Sequence, residues 1–161
     1  TATINGGQGV DVVTGGSGAD TFVFTAGDNG AAPAATVFDT INGFTSGTDK
    51  IDFGVLVLTT VAEGSAAAAG QAAIAADGTV TFNAADDTLA EQIVAVEAAM
   101  TAATPDNGET AIFADPASSA NSFIFVSDGV AGVGANDVLI KIVGDAAGAL
   151  TIAGGDITAI A

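Results

Sequence analysis

Three short apolar segments near the start of the chain are separated by runs of glycine and polar residues. They occupy residues 3–5, 12–14 and 21–23, and they recur every nine residues. Successive side chains of a strand point to opposite faces, so the middle residue of each triplet would point inward. These middle residues are Ile4, Val13 and Phe22. A strand this short cannot bury its central side chain alone, so the pattern predicts stacked turns that share one core.

A helical pattern of apolar residues is found only in the second half of the chain. Within residues 86–103 the large apolar positions fall on one helical face: Leu89, Ile93, Val96 and Met100. This spacing predicts an α-helix. Asp86 or Asp87 could cap its start and Pro105 would end it. The apolar stripe favours packing into a core over a groove for a partner.

The remaining segments predict short strands. Residues 79–82 alternate in polarity, and residues 121–143 contain two apolar strands joined by a glycine-rich connection at 130–136, which is typical of a hairpin. Leu150–Ile152 and Ile157–Ile160 are predicted to be final short strands. Residues 59–78, rich in Ala and Gly, are interpreted as a connecting segment that is partly helical.

The glycine-rich runs between the first strands form a repeat. Residues 6–14 and 15–23 both fit the pattern G-G-x-G-x-D-x-U-x, in which U is a large apolar residue. This pattern is the calcium-binding nonapeptide of RTX proteins, which the two segments resemble. Glycine permits tight turns with positive φ and exposes backbone carbonyls, while the Asp adds a carboxylate. Stacked turns would assemble these oxygens into cages for Ca²⁺, so folding and calcium binding are expected to be coupled. The predicted calcium-binding residues in the two turns are Gly6, Gly7, Gln8, Gly9, Asp11, Gly15, Gly16, Ser17, Gly18 and Asp20.

The resemblance extends past the repeats. Residues 19–24, 39–44 and 47–53 are similar to the end of the calcium β-roll in serralysin-type secreted metalloproteases. In that family three acidic residues after the last repeat help to close the final calcium sites. The resemblance assigns this role to Asp28, Asp39 and Asp49, whereas Asn42 departs from the family pattern, which has Asp there.

Charge and composition narrow the function further. The chain has 19 acidic residues, two basic ones (Lys50 and Lys141) and a formal net charge of −17, yet 49% of its residues are hydrophobic. This charge disfavours nucleic acid and anionic membrane surfaces as partners. The absence of His and Cys excludes a Ser-His-Asp triad, a Cys nucleophile and the usual zinc sites. Either divalent cations neutralise the carboxylates, or the charge keeps an Ala-rich surface soluble; composition leaves both open.

The C-terminal third carries a second, weaker resemblance. Residues 121–143 resemble the C-terminal segments of RTX-type S-layer and adhesin proteins. The final residues, 156–161, are an acidic residue followed by small and apolar ones, similar to the uncleaved export signal of type I secretion. Asp128 and Asp137 flank the hairpin connection and are interpreted as solvated loop carboxylates. No apolar run is long enough to predict a transmembrane segment.

The sequence therefore predicts a mainly β protein: a right-handed parallel β-roll over residues 1–58, then a β-rich C-terminal part over 59–161 with one helix. The predicted function is a secreted calcium-binding structural module at the end of an RTX-type S-layer or adhesin protein. It would be exported by a type I secretion apparatus, fold when it meets calcium, and self-associate at the bacterial cell surface. No enzyme activity is expected. The alternative is the C-terminal calcium-binding and secretion domain of a secreted hydrolase; an autonomous hydrolase based on Asp/Glu pairs is a weaker third hypothesis.

Overall fold

The computed structural model describes residues 1–103 and 107–161. In these ranges the chain is mainly β, with a single α-helix. The elements in chain order are β1 Thr3–Ile4, β2 Val12–Thr14, β3 Thr21–Val23, β4 Asp39–Asn42, β5 Lys50–Asp52, β6 Glu63–Gly64, β7 Ala72–Ile74, β8 Val80–Phe82, α1 Leu89–Ala103, β9 Thr110–Asp115, β10 Ser118–Val126, β11 Val138–Val143, β12 Leu150–Ala153 and β13 Asp156–Ile160.

The first five strands alternate between two sheets. Strands β1, β3 and β5 pair in parallel in one sheet, with Ile4 opposite Phe22 and Phe22 opposite Ile51. Strands β2 and β4 pair in parallel in the other sheet, with Val13 opposite Ile41. Consecutive repeats therefore contribute to opposite sheets, and each strand stacks on the one two turns earlier. The three predicted short strands are present, and of their central side chains Phe22 is fully buried, whereas Ile4 and Val13 are partly buried and pack against the same core.

The C-terminal half extends both of these sheets. Strand β11 lies beside β4 in parallel, followed by β10 and β9 in antiparallel order. Strand β13 lies beside β5, and β12 forms the edge. Both sheets thus cross the predicted division at residue 58, and one core cluster combines side chains from the two sides: among them Phe22, Ile51, Ile140 and Ile157.

The helix packs on a second core. Ile93, Val96 and Met100 on its predicted apolar face are buried, which confirms core packing for this stripe. They contact the small sheet β6–β8 and the outer side of β9–β11, where Phe113 and Phe123 stack with ring centroids 5.8 Å apart.

Three sequence expectations about this half need correction or fall outside the described ranges. The helix starts at Leu89, and Thr88 caps it: the Glu91 carboxylate accepts the Thr88 N–H at 3.1 Å and the Thr88 hydroxyl donates to the same oxygen at 2.6 Å. The Asp86 carboxylate accepts the Gly70 N–H instead, because it turns toward the segment before β7. Residues 59–78 contain β6 and β7, with no helix there. Pro105 lies outside the described residues.

The predicted hairpin is confirmed. Strands β10 and β11 pair antiparallel, with Phe125 opposite Leu139, and the connection runs between Val126 and Val138. Its partner strand β9 was not predicted. Residues 156–161, interpreted as an export signal, lie almost wholly in β13.

Candidate metal centre

The glycines of the two repeats serve different physical needs. Gly7, Gly9 and Gly18 have φ values of +85°, +121° and +115°, a region that other residues rarely adopt. Gly6 and Gly15, at the first position of each repeat, do not have positive φ. A Cβ on Gly6 would lie 2.7 Å from the Asp11 Cβ. The first glycine of each repeat is needed because neighbouring side chains pack against it too closely for a Cβ atom. The fourth is needed because the turn requires positive φ there.

Three of the predicted carboxylates come together on the β2–β4 side of the fold. The Asp39 Oδ1 atom accepts the Asp11 N–H at 2.8 Å, and the Asp28 carbonyl accepts the Gly9 N–H at 2.7 Å. Asp39 and Asp28 are buried, at 1% and 6% exposure. We call Asp11, Asp28 and Asp39 the Asp39 cluster. Burial, together with the charges of Asp11 and Asp28, raises the pKa of Asp39 to about 6.

One oxygen of the Asp39 cluster lacks a hydrogen-bond partner. The Oδ2 atom of Asp11 is buried and accepts no hydrogen bond, whereas both Asp28 oxygens are occupied by Thr25, through its N–H at 2.7 Å and its hydroxyl at 2.6 Å. A buried carboxylate oxygen without a donor is costly. The group therefore combines surplus negative charge with an oxygen available to a cation.

The other two predicted carboxylates meet on the β1–β3–β5 side. We call Asp20 and Asp49 the Asp20 pair. The Asp49 Oδ1 atom accepts the Asp20 N–H at 2.8 Å, and its Oδ2 atom accepts the Thr45 N–H at 2.8 Å. Asp20 accepts the N–H groups of Gly16 and Ala2, both at 2.7 Å. The Gly16 hydrogen bond, with help from that of Ala2, lowers the pKa of Asp20.

These contacts form a regular ladder. In each sheet, the residue just before a strand donates its backbone N–H to an Asp carboxylate at the start of the neighbouring parallel strand. The three donor–acceptor pairs are Ala2 to Asp20, Asp20 to Asp49, and Asp11 to Asp39. The repeat thus orients its Asp side chains along the stack. A carboxylate offers about four lone-pair sites, so a carboxylate that accepts one or two N–H groups can still bind a cation.

The donor set can be compared with what metals require. Among residues 1–103 and 107–161, no group of three or more His, Cys, Asp or Glu side chains is arranged to hold a metal ion. A cation here would depend on one or two carboxylates supplemented by backbone carbonyls. Carboxylate and carbonyl oxygens are the ligands that Ca²⁺ prefers. The orphaned Asp11 Oδ2 atom and the packing of Gly6 against Asp11 fit such an ion. Gln8 and Ser17 are exposed at the turn tips, where only their position in the repeat supports a role as ligands.

Two acidic residues outside the repeats lie in unexpected surroundings. Asp137 is fully buried and accepts the N–H groups of Asp128 and Gly134, so its interpretation as a solvated carboxylate is wrong: it closes the β10–β11 connection. Glu97 on α1 is 2% exposed and accepts the Gly132 N–H at 3.1 Å. Burial and the charge of Asp137 raise the pKa of Glu97 to about 7. The sequence signal for the burial of Glu97 was its position on the apolar face of the helix, four residues after Ile93.

Comparison with known families places this geometry in context. The family model described as "Peptidase M10 serralysin C terminal" matches residues 2–103, which is more than half of the chain. The chain belongs to this family. The match includes both nonapeptides, all five alternating strands and helix α1. No curated protein matches the chain.

Membership of the serralysin C-terminal family supports the coarser functional expectations. The family is associated with RTX proteins and calcium binding, and it implies the C-terminal region of a secreted protein. Within the described residues, no helix is long and apolar enough to cross a membrane.

Proposed function

We propose that the chain is a secreted calcium-binding structural module whose N-terminal turns form a right-handed parallel β-roll. The observation that carries this proposal is the Asp39 cluster. Two residues of this cluster, Asp28 and Asp39, are buried carboxylates, and the cluster lies beside glycine turns of the calcium-type repeat. Stacking of alternate strands in parallel supports the roll.

The residues of the cluster have separate tasks in this proposal. Asp11 and Asp39 would supply carboxylate oxygens, and carbonyls of the 6–11 turn would complete the coordination. Asp28 fixes its own turn through Thr25 and places its carbonyl against Gly9. A bound calcium ion would supply positive charge that offsets the repulsion among the three carboxylates. The Asp20 pair would form a second, weaker site with the 15–20 turn, because backbone N–H groups already compensate much of its charge.

The biological role we propose is the end of an S-layer or adhesin protein, exported by a type I apparatus and self-associating at the cell surface. The support is the resemblance of residues 121–143, the acidic and apolar terminus, and a charge of −17 that external calcium could neutralise. We propose no catalytic activity for the chain itself, which has neither His nor Cys.

The family match favours one alternative, the C-terminal domain of a secreted hydrolase, since the family is described from peptidases. The encoded sequence that adjoins this chain in its gene discriminates between the two. A zinc-protease or serine-hydrolase motif there would favour the hydrolase, whereas Ala-, Thr- and Gly-rich β-sequence would favour the surface protein.

Calcium removal tests the central proposal. Circular dichroism and thermal melting are recorded with calcium chloride, with magnesium chloride and with EGTA. At a hundred times its dissociation constant, each bound ion should add about 2.7 kcal/mol of stability. An identical spectrum and Tm in all three conditions would count against calcium binding.

Export is tested separately. Deletion of residues 152–161 in a host with a matching type I transporter should stop secretion if this segment carries the signal. Ile157 and Ile160 of β13 are buried, so the deletion also removes core packing. Ile51→Ala is the matched control, because Ile51 is buried opposite Ile157 and its replacement weakens the same core while leaving residues 152–161 intact. Secretion of the deletion variant at the level of the full chain would exclude the signal.

A further inference from the structure

Asn29 is a buried residue that no motif in the sequence singles out. Its side chain is 2% exposed and lies between the Asp39 cluster and strand β11. The Nδ2 group donates to Asp39 Oδ2 at 2.9 Å and to the Leu139 carbonyl at 3.2 Å, and the Oδ1 atom accepts the Leu139 N–H at 2.9 Å. One amide thus joins two residues that are 100 positions apart in the chain.

The position of Leu139 explains why an amide is needed there. The parallel pairing of β4 with β11 begins at Asp39 and Ile140, so Leu139 lies one residue before the first pair. The Asn29 side chain satisfies the N–H and C=O of Leu139 and in effect extends the sheet by one residue. This arrangement leaves no buried polar group of Leu139 without a partner on that side.

The hydrogen-bonding groups around position 29 require an amide side chain rather than a carboxylate. Leu139 offers one donor and one acceptor, and Asp39 offers only an acceptor, so the partner must accept once and donate twice. An amide does this, and the reverse orientation would place its oxygen against the Asp39 carboxylate. A carboxylate at position 29 would have no donor and would repel Asp39.

Asp39 is consequently held at both oxygens. The Asp11 N–H fixes Oδ1 and the Asn29 amide fixes Oδ2. Asn29 is neutral, so it orients the carboxylate without cancelling the charge that a cation would need. The Asn29 amide is itself held by two hydrogen bonds to the backbone of Leu139 on β11.

We propose that Asn29 is a positioning residue that couples the Asp39 cluster to β11, so that a bound divalent cation and the docked β10–β11 hairpin stabilise each other. This inference rests on the proposed calcium function of the cluster. Coupling of this kind is reciprocal: if the cation tightens the hairpin, the docked hairpin must raise the affinity for the cation by the same factor.

The test combines calcium titration with amide hydrogen exchange on the whole chain. Exchange is followed from the lowest calcium concentration at which the chain is folded up to saturation. The Gly9 amide, which donates to the Asp28 carbonyl, reports on the cluster, and the Leu139 amide reports on β11. In the unaltered protein both amides should become more protected with the same midpoint, Leu139 by about tenfold.

Asn29→Ala should uncouple the two reporters. Its calcium affinity should fall about tenfold, equivalent to about 1.4 kcal/mol, and calcium should still protect Gly9 while leaving Leu139 unchanged. Asn121→Ala is the matched control. Asn121, on β10, is also an amide that joins separate segments: it donates to Asp115 Oδ2 of β9 at 3.3 Å and accepts the Gly144 N–H just after β11 at 3.0 Å, with no hydrogen bond to the cluster. This control should keep calcium-dependent protection of Leu139.

The outcomes separate this inference from the proposed function. If no heat of calcium binding and no protection of Gly9 are observed in the unaltered protein, the calcium function itself is wrong. If Gly9 is protected but Leu139 is not, the coupling is wrong. If Asn29→Ala behaves like Asn121→Ala, the role of Asn29 is wrong. Should Asn29→Ala fail to fold, Asn29→Ser keeps one donor and should lose at least half of the protection at Leu139; full protection there would overturn the proposal.

Discussion

The Asp39 cluster and the Asp20 pair are formed by the same repeat but have opposite electrostatics. In the cluster, burial and neighbouring carboxylates raise the pKa of Asp39 to about 6, and one Asp11 oxygen has no donor. In the pair, the backbone N–H groups of Gly16 and Ala2 hold Asp20 and lower its pKa. The repeat therefore orients a carboxylate, while the loops stacked on it decide whether that carboxylate still needs a cation.

The largest expected difference between the two sites is in calcium affinity. Asp11→Ala should weaken binding about a hundredfold, or about 2.7 kcal/mol, because it removes the oxygen without a donor. Asp20→Ala should weaken binding about tenfold. Asp77→Ala should change nothing, since its carboxylate accepts two bonds from Thr79 in an exposed turn. Isothermal titration measures all three, and equal losses would mean that overall charge, rather than the repeat, attracts the ion.

In the calcium-free protein, the contributions of Asp39 and Asp20 to folding stability should change in opposite directions with pH. A raised folded pKa means that the stability from Asp39 is complete below pH 3.8 and is lost as pH rises to about 6. The loss should be about 2 kcal/mol. The lowered pKa of Asp20 acts in the opposite direction: its stabilisation is present above pH 3.8 and is lost as pH falls further.

Urea unfolding in EGTA across pH 3–8 measures both slopes. Asp39→Asn should reduce the decline between pH 3.8 and 6 and leave the part that Glu97 and Asp137 contribute, whose pKa values burial also raises. Asp20→Asn should reduce the loss at lower pH, whatever each variant does to absolute stability. An undiminished decline in Asp39→Asn would show that Asp39 does not contribute to it.

Glu97 provides the smallest effect and a control outside both sites. Its pKa of about 7 predicts that stability falls as pH rises from 4.5 to 7. Glu97→Gln keeps the acceptor for the Gly132 N–H and should be about 1 kcal/mol more stable at pH 8, with no gain near pH 4. The effect is modest because the replacing amide must bury an NH2 group in the place of a carboxylate oxygen. The gain should be the same with and without calcium, and a calcium-dependent gain would contradict this assignment.

The sequence predicted what depends on local spacing. The nine-residue period located β1, β2 and β3, and the helical spacing of Ile93, Val96 and Met100 located the buried face of α1. Hairpin β10–β11 followed from two apolar runs around a glycine-rich loop. In each case the relevant contacts lie within the repeat, the helix turn or the hairpin.

Contacts between distant segments could not be predicted in this way. The burial of Asp137, the bonds of Asn29 to Leu139 and the opposite pKa shifts of Asp20 and Asp39 all depend on which loops stack together. The helix cap was missed for a different reason: three polar residues in a row could cap it, and only Thr88 has Glu91 three positions later for reciprocal hydrogen bonds.

The extension of both sheets by C-terminal strands has a consequence for the rate and order of folding. Strand β5 is flanked by β13, and Lys50 meets Asp156 at 2.6 Å across 106 positions of sequence. Contacts with such separation require closure of a long loop before they stabilise anything, which slows folding. During synthesis from the N-terminus, the early turns therefore lack their lateral neighbours until the last strands emerge. The chain should stay unfolded until nearly all of it is available.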